Sequence, residues 1–308
     1  MGPTAAGKSA LALGLAEELG GEVVNFDSRQ VYRRMDIGTG KPSAGDQNRV
    51  PHHLFDVVDP GESFSAAEFS RLAREAVSAI WSRGRLPILA GGTGLYLRAF
   101  VQGLFAGPGR SPELHSRLER IADRGGLDRL YRWLQRVDPT WSRRVGRHDR
   151  QRILRGLDVW LQSGCSMSEH IARQPAAPAS DWLLRLGLMV PREELKARIS
   201  ARVASMLAAG WLDEVRGLLE DSRFATSNSA TALGYRSLVE HLQGGRDLVS
   251  ATAEIERDTR RLAKRQMTWF RHEPDVHWLP ATDPQAALQS ALDVIRPRLL
   301  GLSLTTES

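Results

Sequence analysis

Residues Gly2-Pro3-Thr4-Ala5-Ala6-Gly7-Lys8-Ser9 satisfy the pattern G-x-x-x-x-G-K-[ST], and few short patterns restrict a fold so tightly. The two glycines allow a tight loop whose backbone N–H groups turn inward toward an anion. Lys8 adds a point charge for a terminal phosphate, and the Ser9 hydroxyl can coordinate Mg²⁺. A helix running on from Ser9 aims the positive end of its dipole at the same spot. Chance produces such a match in roughly one chain per hundred of this size, given glycine at about 7% of residues. The competing reading is a Gly-rich turn that caps an ordinary helix. A phosphate loop normally follows an apolar strand, yet only Met1 precedes Gly2. The expectation is that a short strand is missing, which would leave a gap beside the sheet centre and loosen the loop.

Around this loop the strand-like runs are short and mostly apolar: Glu22–Phe26, Leu54–Val58, Leu86–Ala90 and Leu183–Val190. Helical patterns at Ser9–Leu19, Ser65–Ser82 and Gly94–Gln102 separate them. This alternation predicts an α/β fold, a P-loop NTPase-like parallel sheet flanked by helices with its first strand truncated. From Arg110 to Ser180 the pattern is helical only and rich in arginine, leaving through a Pro/Ala-rich segment at Gln174–Ser180. Two domains follow: a core of residues 1–110 plus 181–308 with a helical C-terminal part, and a helical insertion domain at 111–180. The chain closes on a polar tail, Leu304–Ser308.

Composition narrows the function classes. Among 308 residues, 42% are hydrophobic and 25% charged, which excludes a disordered or fibrous chain. One cysteine, Cys165, excludes an internal disulfide framework and any multi-cysteine metal site; it reads as a buried or incidental thiol, not a nucleophile. No apolar run reaches the roughly 18–20 residues of a membrane span, and no signal peptide opens the chain, so no membrane partner and a cytoplasmic location are expected. No extended apolar heptad stands out either, and a monomer is expected. The 42 Lys+Arg against 36 Asp+Glu, net +6, suit a polyanionic partner. His52, His53 and Asp56 have the look of metal ligands but no third His or Cys beside them, so the histidine pair reads as a strand start.

Two loops at strand ends carry polar groups where ligands bind in open α/β sheets. Glu22–Phe26 delivers Asp27-Ser28-Arg29-Gln30, and Leu86–Ala90 delivers Gly91-Gly92-Thr93-Gly94. Asp27 reads equally well as a functional carboxylate or a turn former, and Thr93 as a site hydroxyl or a helix cap. Two segments are basic. Arg143, Arg144, Arg147, Arg150, Arg152 and Arg155 face one acid, Asp149; Arg257, Arg260, Arg261, Lys264, Arg265 and Arg271 face Asp258. At helical spacing, Arg257, Arg261, Lys264, Thr268 and Arg271 share a face opposite Ile255, Leu262, Trp269 and Phe270. Such a stripe suits a helix lying along phosphates, although a solvated face gives the same pattern.

The blocks GPTAAGKS, Asp27–Pro42, Pro51–Pro60, Ser63–Phe69, Leu86–Ala99, Asp149–Val159, Thr231–Leu238 and Ala263–Arg271 together resemble the bacterial tRNA dimethylallyltransferases, in order along nearly the whole chain. The resemblance implies transfer of a dimethylallyl group from dimethylallyl diphosphate to N6 of adenosine 37 in the tRNA anticodon stem-loop, releasing diphosphate. It implies a diphosphate cradle of Gly2, Pro3, Thr4, Ala5, Ala6, Gly7, Lys8 and Ser9, with Mg²⁺ as cofactor held partly by Ser9. Asp27 is implied as acceptor and general base for the adenine amine, with Thr93 and Lys8 assisting at the diphosphate. Contacts to tRNA are implied for Asp27, Ser28, Arg29, Gln30 and Thr93; for His115, Gln151, Arg152, Ile153, Leu154 and Arg155; and for Gly234, Tyr235, Arg236, Lys264, Arg265, Gln266 and Arg271. His115 stands where an arginine is common, and the lone cysteine excludes the zinc-finger extension of eukaryotic relatives.

The chemistry fits these residue types. The N6 lone pair is delocalised into the purine, so the amine is a weak nucleophile. A carboxylate is too weak a base to ionise it beforehand, but can orient it and accept its proton late. Negative charge growing on diphosphate meets loop N–H groups and Lys8. Two other readings stay open from the residues: a P-loop small-molecule kinase acting on ATP, against which no apolar strand ends in a Walker-B-type Asp, and a non-catalytic RNA-binding protein inactivated by truncation.

Overall fold

The computed structural model describes residues 1–104, 107–173 and 182–303. The expected Pro/Ala-rich exit and polar tail lie outside them. The chain divides into two units: Met1–Gln102 with Ala179–Ser308, and Gly103–Pro178.

The first unit is built on parallel strands. Strand β1 (Glu22–Asn25) lies between β2 (His52–His53) and β3 (Pro87–Ala90), with Val23 opposite His52 and Ile88. Every residue of β1 is buried, as expected for a strand covered on both faces. Its one acid, Glu22, accepts from Arg83 and pairs with the His53 ring, both at 2.7 Å. The histidine pair therefore serves the sheet. A second parallel pair joins β4 (Arg185–Met189) to β5 (Val276–Pro280).

Two expectations need correction. Leu54–Val58 is not a strand: Leu54 (φ 64°) and Asp56 (φ 54°) take left-handed conformations that break an extended run. Pairing is confined to His52–His53 and one bridge between Tyr32 and Val58. The sheet is also not continuous, since β4 and β5 pair apart from β1–β3 among the described residues. Met1 runs along β4: its amine donates to Leu186 O at 2.6 Å, and the Leu188 N–H donates to Met1 O at 2.9 Å. Its side chain packs in one apolar cluster with Val24, Leu89 and Trp278. Burial pulls the terminal amine down to a pKa of about 5, with Lys8 adding repulsion.

Helices cover the strands and build the rest of this unit. Helix Ala66–Ser82 starts in a capping box, with Ser65 and Glu68 bonding each other's backbone N–H, and it buries Phe69, Ala73, Val77 and Ile80. Helices Arg192–Ala208, Trp211–Leu218 and Tyr235–Leu242 share a core around Trp211, Phe224 and Tyr235. The long helix Leu248–Phe270, capped by Asp247, contributes Ile255 to that core and Phe270 to the cluster under β1. The second unit is helical, with Leu118, Leu130, Leu134, Ile153, Leu154 and Leu157 as its own core. Among the described residues no helix is long and apolar enough to cross a membrane.

Candidate active site

The helix Lys8–Leu19 begins at Gly7, whose left-handed backbone (φ 90°) turns the chain into the first turn, and no side chain caps it. The first-turn N–H groups of a helix have no partner within it, and here none is supplied by a cap. Ala5, also left-handed at φ 62°, helps curl the loop, a backbone form that suits an anion. Lys8 Nζ folds back to donate to Pro3 O at 2.8 Å. Burial lowers its pKa to about 8, while the Asp27 carboxylate acts to raise it and Arg202 to lower it further.

Asp27 leaves β1 on the same side. Asn25, fully buried at the strand end, accepts from the Asp27 N–H at 2.8 Å and donates to Leu54 O at 2.9 Å. Asp27 Oδ1 accepts from the Arg29 N–H at 2.9 Å, so the residue does form a turn. That bond occupies one oxygen; among the described residues Oδ2 makes no hydrogen bond. Thr93 is not a side-chain cap. Its hydroxyl accepts from the Ser28 N–H at 2.9 Å and donates to Ser28 Oγ at 3.2 Å, joining the loop after β3 to the loop after β1. Arg29 and Gln30 are used internally, on Asn228 O and on Thr39 and Gly40 O.

Thr4, Lys8, Ser9, Asp27 and Arg202 line one cavity of about 470 Å³. Ile199, Val203, Met206 and Leu262 give it an apolar wall. A cationic end, a carboxylate and a greasy wall in one enclosure suit an amphipathic ligand with an anionic head. No group of three or more His, Cys, Asp or Glu able to hold a metal occurs among the described residues.

Arg202 is the residue that sequence reasoning missed. It sits in the apolar stripe of its helix, between buried Ile199 and Val203. Burial lowers its pKa, and Asp27 opposes that. An arginine inside an otherwise apolar stripe is the signal that marks it. Asn25 was missed too, because its peg-like role depends on Leu54, remote in sequence. Gln266 was expected on RNA and is instead half-buried against the phosphate loop: Oε1 accepts from the Thr4 N–H at 2.8 Å and Nε2 donates to Gly92 O at 2.9 Å. A Cβ on Gly92 would stand 2.3 Å from that nitrogen, and one on Gly94 would stand 2.1 Å from Trp269 Nε1. Helix Leu248–Phe270 therefore approaches the β3 loop so closely that a side chain at 92 would push the Gln266 amide aside and one at 94 would run into the Trp269 ring.

Among the other residues expected on RNA, Lys264, Arg265 and Arg271 are exposed and, among the described residues, make no ion pair. Their neighbours Arg257, Arg260 and Arg261 pair with Glu254, Glu256 and Asp258. Arg236 is exposed beside Glu240, and Gln151 and Arg152 are exposed on the helical unit. Several expectations fail on burial. Ile153 and Leu154 are wholly enclosed in the helical unit's core, on the face of their helix that turns inward. Tyr235 is fully buried with its hydroxyl on Glu214 at 2.7 Å, and Gly234 is buried under Trp211. Arg155 is engaged by Pro108 O, Gly109 O and Asp158. His115 is only 22% exposed, beside Glu119 at 3.6 Å, and burial lowers its pKa.

The model of the IPP transferase family matches residues 30–273. The chain belongs to the IPP transferase family. It is 47% identical over 278 residues to the tRNA dimethylallyltransferase of Geobacter metallireducens, covering 90% of each chain. It is 44% identical over 301 residues to that of Magnetococcus marinus, covering 96% of this chain and 97% of the relative. Among solved structures it resembles a full-length tRNA isopentenylpyrophosphate transferase from Bacillus halodurans (TM-score 0.72, 35% identity, covering 100% and 97%). It also resembles a eukaryotic dimethylallyltransferase acting on tRNA (TM-score 0.82, 28% identity, covering 97% and 78%). Membership makes the chain a transferase with the α/β fold expected of it.

Proposed function

We propose that this chain transfers a dimethylallyl group from dimethylallyl diphosphate to N6 of adenosine 37 in tRNA, with Asp27 as general base. One observation carries the reading: the Asp27 carboxylate and the cationic phosphate loop line the same cavity. A prenyl donor with its head on the loop and its tail along Ile199, Val203 and Met206 leaves the allylic carbon room to face that carboxylate. Family membership, with prenyltransferases as relatives over most of the chain, favours this over a small-molecule kinase or a non-catalytic RNA-binding protein.

In the reaction the adenine amine attacks the allylic carbon as the C–O bond to diphosphate breaks. Asp27 Oδ2 accepts the amine proton as positive charge builds on nitrogen. Lys8, Arg202 and the amides of the loop stabilise the charge that collects on the leaving diphosphate. Thr93 holds Ser28, and through it the turn that carries Asp27. Ser9, which lines the cavity beside Lys8, offers a hydroxyl that suits Mg²⁺ held mainly by substrate phosphates and water rather than by an all-protein cage. Mg²⁺ held by Ser9 would supply further neutralisation of the diphosphate. Lys264, Arg265 and Arg271, with Gln151 and Arg152 of the helical unit, are the RNA contacts of choice, since each is exposed. The base must leave its stack to reach the cavity. A cytoplasmic location fits a tRNA substrate.

The test is incubation with labelled dimethylallyl diphosphate, Mg²⁺ and unmodified tRNA, with ATP replacing the diphosphate in a parallel reaction. Label in tRNA at adenosine 37 supports the reading. A phosphorylated product from ATP, or RNA binding without turnover, refutes it.

A further inference from the structure

Gln266 stands between two parts of the cavity that the reaction must hold at a fixed separation. Its Oε1 accepts the Thr4 N–H of the phosphate loop, and its Nε2 donates to Gly92 O in the loop after β3. The two partners demand opposite ends of the amide, an acceptor for N–H and a donor for C=O, so its orientation is determined. From Gly92 the connection runs through Thr93 to Ser28 and so to the Asp27 turn. A Cβ on Gly92 would meet Gln266 Nε2 at 2.3 Å and stand 3.7 Å from Asp27 Oδ2, which puts the amide, the glycine and the carboxylate side by side. The carrier helix is itself seated on the same loop by Trp269, which packs on Gly94 and lies under the Arg98 guanidinium at 4.5 Å.

We propose that Gln266 is a positioning residue that sets the distance between the diphosphate cradle and the Asp27 carboxylate, and is not a tRNA contact. The inference rests on the reading of this cavity as the site of prenyl transfer. Its side chain has both hydrogen-bonding ends occupied inside the fold, whereas its neighbours Lys264 and Arg265 point to solvent. Misplacing reacting groups by about 1 Å costs on the order of 10²-fold in rate, so the effect belongs in turnover.

The test is steady-state prenyl transfer by the full chain as Gln266→Met, Gly92→Ala and the double variant, with anticodon stem-loop affinity measured by fluorescence anisotropy. Methionine keeps length and removes both bonds; alanine at 92 displaces the amide from the other side. Each single variant is expected to lose roughly ten- to a hundredfold in kcat, with RNA Kd within about twofold of wild type. The double variant is expected to be no worse than the poorer single, because both break one connection. Should Gln266→Met fail to fold, Gly92→Ala alone carries the same expectation. An unmoved kcat, a loss confined to RNA affinity, or additive losses in the double variant would overturn the proposal while wild type remains active. A wild type that prenylates no RNA would instead overturn the function, and this inference with it.

Discussion

Lys8 makes the affinity for the prenyl donor depend on pH in a direction the structure fixes. Burial lowers its pKa to about 8 in the free protein. An ammonium in contact with a diphosphate holds its proton far more tightly, so binding raises that pKa again. Below pH 8 the lysine already carries the proton and affinity is flat. Above it, binding must first take up a proton, and affinity falls. About nine-tenths of Lys8 is charged at pH 7 and about one-tenth at pH 9, so Kd should weaken roughly tenfold across that interval, about 1.4 kcal/mol. Arg202 stays charged throughout, and an alkyl diphosphate, with a last pKa near 6 by analogy with phosphate monoesters, is about nine-tenths ionised by pH 7 and adds little slope above it. Titration calorimetry of dimethylallyl diphosphate without tRNA measures both quantities: the Kd, and the proton uptake from buffers of different ionisation enthalpy. The expected uptake approaches one proton at pH 9 and falls to about one-tenth of a proton at pH 7. Lys8→Met should bind weakly with no slope. A Kd that stays level from pH 7 to 9 in wild type, or a slope that persists in Lys8→Met, refutes the reasoning.

Asp27→Ala should lower kcat by roughly 10²–10⁴, the size of general-base effects, with little change in tRNA affinity; near-normal turnover removes Asp27 from the mechanism. Lys264→Ala and Arg265→Ala should each flatten the log–log salt dependence of tRNA binding by about one unit, measured from 50 to 200 mM salt, and an unchanged slope means that neither touches phosphate. Leu154→Ala should destabilise the helical unit by about 2–5 kcal/mol, as for a buried leucine in a packed core. A urea titration checks it, and an RNA-binding defect at unchanged stability would restore the surface role that burial denies.

How much of the site could be read from sequence depended on whether its logic is local. The phosphate loop is local: the left-handed backbone at Gly7 and the uncapped first turn that follows are properties of eight consecutive residues. That Asp27 and Thr93 sit on loops at strand ends was legible too, because the apolar runs before them mark the strands. The stretches expected on RNA were legible only as stretches. Within Asp149–Val159 a helix turns Gln151 and Arg152 outward and Ile153 and Leu154 inward, and the choice of inward face is made by Leu118, Leu130 and Leu134, distant along the chain. The break at Leu54 and Asp56 has the same origin, since a run of apolar residues carries no mark of where its backbone must reverse hand.

The sequence by itself therefore determined the glycine turn into the first helix, the alternation of strand and helix, and the family. Tertiary structure decided that Arg202 faces Lys8 and Asp27, that Gln266 serves the phosphate loop, and that Tyr235 and Arg155 are spent inside the fold. The physical reason is that backbone geometry and helix dipoles act within a few residues. Burial and the sharing of a hydrogen bond are settled by which remote side chains the packed fold brings within reach, and those partners are known only once the chain has packed.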